Sequence, residues 1–437
     1  MFALLNIIVF LALTGYAFKL LFSSPAYVRL SKTQKVLLSG RERFLLVTMV
    51  TGMVQVGVNV GVSLSAFRLM VWITMILLAF AFYSKSLKLK PIYLPYLLFL
   101  TWLAISLIWT VDIGYGIRAY LKYLYPFLIM LFAATFVRSP LFIYVAMRWM
   151  IFAAFIFSIL LGGVMTHVLE IWYFYGDGLF WPMSTLADFL GIMSALSFVM
   201  WWHTGEKKYL ILIGWFFLSS VLQSVRTGLL AIILVMMFAS YLRYKALSLP
   251  YIALIALVAV SSVVFIPQVR EKMFNETAKV SNISDLSSIS TDNIDSNARF
   301  AMWKWALDKF YTGHEWTGSG LGSVQQYMYE NFVFGGLQVL HNDYVQILSD
   351  SGNIGLILYA SFPLIFFLYA HNIIMRKKMD SLKITHALAF LSYIPVLSTM
   401  YTDNVVNYSF AAHAYPFIFI GIAVAYTKIT KEQRSTV

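Results

Sequence analysis

Long apolar runs, broken by short polar connections, dominate the chain. A helix needs about 20 mostly apolar residues to cross a bilayer. Thirteen runs approach that length, at 2–22, 44–62, 66–84, 91–110, 117–137, 141–163, 183–202, 209–225, 227–243, 249–266, 353–371, 384–400 and 409–427. They predict an all-α polytopic membrane protein of about 12–13 transmembrane helices, twelve if one run lies flat or re-enters. No positive side chain precedes the first run, since the first is Lys19, and no small-residue cleavage site follows it. The first run therefore reads as a span rather than a cleavable leader. The pattern divides the chain into a helical bundle over 1–266, a large loop over 267–340, and a motif-bearing helix with the last spans over 341–437.

Composition narrows the class. Of 437 residues, 60% are hydrophobic and 12% charged, against about 25% charged in soluble domains. This excludes a soluble enzyme, a disordered chain and a nucleic-acid-binding domain. The net charge of +13 records orientation instead. Lys and Arg crowd every second loop, from Arg29–Arg43 through Arg376–Lys383 to Lys428–Arg434, and only four of the 19 acids (Glu42, Glu206, Asp380 and Glu432) share those loops. The positive-inside rule puts that set in the cytoplasm, and the 267–340 loop outside. With no cysteine there is no disulfide and no thiolate chemistry.

The outer loop opens with a polar stretch around VSNISDLSSISTDNIDSN. Residues 297–311 then place Trp303, Leu307, Phe310 and Tyr311 at helical spacing, with Lys304 and Asp308 on the other side. Two tryptophans on such a helix suit the membrane–water interface. The GSGLGSV segment that follows reads as a flexible turn cluster.

Three outer features carry candidate chemistry. Arg226, at the apex between two short apolar runs, is a cation on an acid-rich face. Arg299 opens the loop helix, where alone it reads as a solvated residue. His341-Asn342 begin an amphipathic stretch, and Gly352 and Gly355 open a span with spacing that permits close helix approach. Arg118 and Lys122 share one helix face and Arg68 ends another span. For Lys122 and Arg68 the expectation is snorkelling to lipid phosphates. His167, His314 and His413 also lie on the outer side. Asp177, Asp188, Asp292 and Asp403 supply carboxylates, but no spacing recommends a glycosidase pair. HExxH, GxSxG and P-loop patterns are absent from the sequence.

The order Ser224-Val225-Arg226-Thr227-Gly228, then Arg299 and Trp303, then Gly318-Ser319-Gly320-Leu321-Gly322, then His341-Asn342 with Gly352 and Gly355 resembles the bacterial O-antigen ligase/polymerase superfamily. The likeness covers residues 209–371, and its H-N-x9-G-x-x-G element is fairly specific. It implies a GT-C-like glycosyltransferase of lipopolysaccharide or polysaccharide biosynthesis in the bacterial inner membrane, with its site facing the periplasm. The implied donor is a glycan on undecaprenyl diphosphate, and the acceptor a lipid-linked or lipid A–core sugar. No metal, other cofactor or nucleic acid is implied. His341, Arg226 and Arg299 match the family's essential residues.

Physical reasoning extends that likeness. A departing diphosphate gathers negative charge, which arginine forks can meet. Arg226, Arg299 and, more weakly, Arg118 are expected to hold it, with His341 as general base and Asn342, Gly352 and Gly355 supporting the motif. The loop's six bases against eight acids suit a repeat-unit polymerase better than a ligase serving a phosphorylated core. A transporter of lipid-linked glycan is the alternative without chemistry. It would show repeated halves, and no internal repeat is visible in the sequence.

Overall fold

The computed structural model describes residues 2–31, 33–52, 64–84, 89–160, 183–222, 226–265, 270, 274, 298–336, 339–376 and 380–435. Each of the thirteen predicted runs carries helix in its described part. The helices are α1 (Phe2–Phe22), α2 (Gly40–Val50), α3 (Leu64–Tyr83), α4 (Leu94–Ser106), α5 (Ile113–Phe136), α6 (Phe142–Leu160), α7 (Met183–Thr204), α8 (Lys208–Leu222), α9 (Arg226–Tyr244) and α10 (Leu249–Phe265). The loop contributes α11 (Arg299–Ala306) and α12 (Ser323–Asn331). Then come α13 (Asp343–Arg376), α14 (Ser381–Thr399) and α15 (Ala414–Ser435). Seven helical stretches among the described residues are long and apolar enough to cross a membrane, and four shorter apolar helices accompany them. The chain is thus an all-α, multi-pass membrane protein. Its exception is an antiparallel hairpin, β1 (Ala26–Arg29) with β2 (Lys35–Leu38), which pairs Ala26 with Leu38 and Arg29 with Lys35.

Apolar residues surround α7, α14 and α15 on all sides, so burying one stripe does not satisfy them. They occupy the middle of the bundle, with α5 against α15 and α9 against both α7 and α14. Small residues set the spacing there. A Cβ added to Gly191 of α7 would lie 3.1 Å from Pro395 of α14 and 3.2 Å from Ala231 of α9. One turn along, a Cβ on Gly228 would meet that of Ala187 at 2.5 Å.

The described part of the loop forms a cap with its own small core of Met302, Ala306, Phe310, Val324, Met328, Leu340 and Val345. This changes the part played by the loop helix. Trp303 donates its indole N–H to the Leu340 carbonyl at 2.8 Å, and Trp305 packs on Phe310, Tyr327 and Phe334. Both half-buried rings help hold the cap together. The helix also widens to π geometry over Leu307–Tyr311. The polar stretch before it lies outside the described residues, as do His167, Asp177 and Asp292.

Candidate active site

The site is built where the cap meets the heads of α13 and α14. His341 holds a left-handed backbone, φ 51°, that turns the chain into α13. Such a conformation is uncommon for a residue with a Cβ and is kept only where surrounding contacts enforce it. Two contacts do so here. The His341 amide donates to Asn404 Oδ1 at 2.7 Å. Asn342 caps α13, its Oδ1 accepting the Val345 amide at 3.0 Å, a contact worth about 1 kcal/mol. Asp343 then ties the helix head to the turn after α14. Its carboxylate accepts Asn404 Nδ2 at 3.2 Å and the Val406 amide at 3.1 Å, and its own amide donates to the Met400 carbonyl at 2.8 Å.

That turn, residues 400–404, also holds the imidazole. Asp403 Oδ1 lies 3.1 Å from His341 Nδ1. The Asp403 side chain is 5% exposed and that of His341 25%, so the acid is covered while the ring keeps an open edge. An ionised carboxylate can only accept, which puts a proton on Nδ1; in the neutral ring Nε2 then keeps its lone pair. One residue earlier, the Thr402 carbonyl accepts Arg299 Nη1 at 2.7 Å. A guanidinium has five N–H donors, so this bond positions Arg299 without exhausting it. The Trp303 ring, one turn on, packs edge-on against Tyr401. His341 and Arg299, 42 residues apart in sequence, are therefore gathered on one five-residue turn.

Arg226 starts α9, half-buried. Gly228 packs on Ala187, while one turn along α9 Ala231 shares the Gly191 contact with Pro395; Thr399, one turn beyond Pro395 on α14, leads into the 400–404 turn. Arg226 thus sits at the same end of the bundle as His341 and Arg299. Arg118 stands on the exposed face of α5, its guanidinium over the Tyr115 ring at 5.4 Å.

Two cations depart from expectation. Arg68 is 2% exposed and lies between the Trp72 and Phe410 rings, away from any lipid phosphate. Lys122 turns inward and donates to Asn407 Oδ1 at 2.5 Å. Asp188 is fully buried and Asp403 nearly so. His413 is fully buried and His314 lies on an exposed turn.

The glycine-rich segment is not a loose turn. Gly318, Gly320 and Gly322 all have positive φ, and they seat the chain on Ser349–Ser351 and on the residues leading into α5. The Gly322 and Val324 amides donate to the Asp350 carboxylate at 3.0 and 3.2 Å, and Gln346 adds a third donor at 2.7 Å. Gly352 also differs from the expected helix–helix contact. Its φ of 66° and ψ of −169° break α13, and a Cβ there would lie 2.3 Å from the backbone of Trp316, in the cap. Gly355 faces Trp102 of α4, with 3.6 Å from an added Cβ to the indole.

Of the residues expected from the sequence, the structure brings His341 and Arg299 to one turn, with Asn342 beside them. Sequence reasoning did not place Asp403 and Asn404 on His341, nor Asp343 and Asp350 as anchors of the frame. The fold is that of a multi-pass membrane protein. Residues 211–360, about a third of the chain, match the family model described as O-antigen ligase. The match spans Arg226, Arg299, His341, Asn342, Gly352 and Gly355, and supports placing the chain in the O-antigen ligase/polymerase superfamily as a ligase- or polymerase-type membrane glycosyltransferase. Its implied substrates are lipid-linked glycans. A search of curated proteins finds no match.

Proposed function

We propose that the protein moves a glycan from undecaprenyl diphosphate to an acceptor sugar hydroxyl at the periplasmic face of the inner membrane. The observation that carries the proposal is the shared turn, with Asp403 on His341 Nδ1 and Thr402 on Arg299. His341 Nε2 takes the acceptor hydroxyl proton, and the oxygen attacks the anomeric carbon of the donor sugar. The bond from that carbon to the diphosphate oxygen breaks, and its electron pair leaves with the carrier lipid. Arg226 and Arg299 meet the charge that develops, with Arg118 a weaker third contact. In this reading the cap and motif helix supply Arg299 and His341, and the bundle over 1–266 supplies Arg226 and Arg118.

Polymerisation of repeat units is the favoured transfer, on the net acidic loop. Transfer to lipid A–core is the second reading, favoured by the description of the matched family. Proteoliposomes given lipid-linked donor test the class: new glycosidic bonds support transfer, and movement of donor without bond formation overturns it. A deletion strain then separates the two transfers. Single repeat units on lipid A–core indicate a lost polymerase, whereas full chains left on carrier lipid indicate a lost ligase.

Two substitutions test the roles. Arg226→Lys keeps the charge and loses the fork, so donor KM is expected to rise about 10- to 100-fold, the value of one charged hydrogen bond. Unchanged donor binding would remove Arg226 from the clamp. Asp403→Asn is expected to lower kcat on the order of 10²-fold, because the amide accommodates the wrong tautomer and an unaligned ring. An unaffected kcat would show that Asp403 does not orient the base.

A further inference from the structure

A polar cleft lies between α5 and α12. Lys122, Gln325, Asp343, Gln346, Asn404 and Asn407 are among the residues that line it. An ammonium inside an apolar bundle marks a functional site more often than a packing residue. Lys122 has three donors, and its bond to Asn407 engages one of them. Asn404 links this cleft to the transfer site. Its Oδ1 holds the His341 amide while its Nδ2 meets Asp343.

The shape and chemistry limit the occupant. The cleft is half-open, so a hydroxyl-bearing edge of a ring can reach in from the open side. One turn from Gln325 on α12, and near the start of α5, the Tyr329 and Tyr115 rings meet with centroids 6.1 Å apart, and Tyr329 is 51% exposed. Amide and carboxylate groups lining the cleft, with an aromatic pair one turn from Gln325, suit a pyranose, which has O–H groups at its rim and C–H groups on its faces. One base, Lys122, stands against two acids, Asp343 and Asp350, so the cleft offers an anion no excess of positive charge.

Resting on the transfer reading above, we propose that this cleft is the acceptor subsite and grips one hydroxyl-bearing edge of a non-anionic pyranose beside His341. Saturation-transfer NMR on the detergent-solubilised full chain tests it, with neutral methyl hexopyranosides and a hexuronate as probes. Signal is expected for the neutral glycosides and not for the hexuronate, and it should weaken in Gln325→Ala and in Tyr329→Ala, both on the less buried wall. In transfer assays each variant should raise acceptor KM about fivefold, the loss of a single contact, with donor KM unchanged. Absence of neutral-glycoside signal in the unsubstituted protein, equal signal from the hexuronate, or a rise in donor KM instead would overturn the assignment. Should the unsubstituted protein give the sugar signal but form no glycosidic bond, the transfer reading falls and the acceptor role with it, while a sugar site remains.

Discussion

Replacing His341 by alanine is expected to lower kcat by about 10²- to 10⁴-fold, the usual share of a positioned general base. Donor binding should stay near that of the unsubstituted protein, because the arginines and not the imidazole hold the diphosphate in the proposed mechanism. The separation of the two effects is what makes the measurement informative. A protonated His341 that binds phosphate would show itself as a rise in donor KM. Full activity would eliminate both roles. Gross misfolding is a poor explanation for the expected loss, since alanine can keep the bond from residue 341's amide to Asn404 Oδ1. The comparison with Asp403→Asn adds order to the result. If the carboxylate acts through the ring, the double substitution should be no worse than His341→Ala alone.

Gly318→Ala is expected to destabilise the protein by about 2–4 kcal/mol, combining left-handed strain with overpacking. Gly318 has φ 68°, and an added Cβ would lie 2.4 Å from both the Asp350 carbonyl carbon and the Ser351 amide nitrogen. Backbone on both sides leaves no flexible side chain to yield. Gly313 supplies the control. Its φ is 85° and nothing lies within 4 Å of an added Cβ, so Gly313→Ala should cost only the conformational strain, about 1–2 kcal/mol. Thermal unfolding of the solubilised protein measures both. Equal losses would mean that the tight seating of the glycine segment on α13 contributes nothing. A transfer defect in Gly318→Ala beyond its stability loss would follow from displacement of Ser349–Ser351, on the helix that His341 leads into.

The membrane helices were legible because a bilayer demands long apolar runs, a signal each segment carries within itself. His341 and Asn342 were legible for a similar reason, since motif and helix cap fall in adjacent positions. Asp403 was visible only as one acid among several. Its partner lies 62 residues away, and neither α14 nor the turn after it announces that pairing locally. Lys122 and Arg68 were misjudged together. Proximity to a span end suggests snorkelling, but Asn407 and the Trp72 and Phe410 rings supply closer partners that no spacing rule can foresee. The partners of the α11 tryptophans within the cap were not legible, because an amphipathic helix looks alike whether its apolar stripe meets lipid or a small protein core. The glycines at 318, 320 and 322 did carry a usable signal. Glycine at alternate positions fits chain pressed against chain at least as well as it fits looseness.

The break at Gly352 has a mechanical meaning. It separates a stub of about two turns, fastened to the cap and to the 400–404 turn, from the rod that continues through the apolar layer to Arg376. The Trp102 indole pins the Ser351 carbonyl at 2.9 Å on the near side of that joint. The Asn353 and Ile354 amides just past the break also donate to the Glu315 and Trp316 carbonyls, so the joint is clamped to the cap from both sides, and a change in the rod's tilt would have to strain those bonds before it moved the stub. The imidazole would ride with the fastened stub and keep its aim.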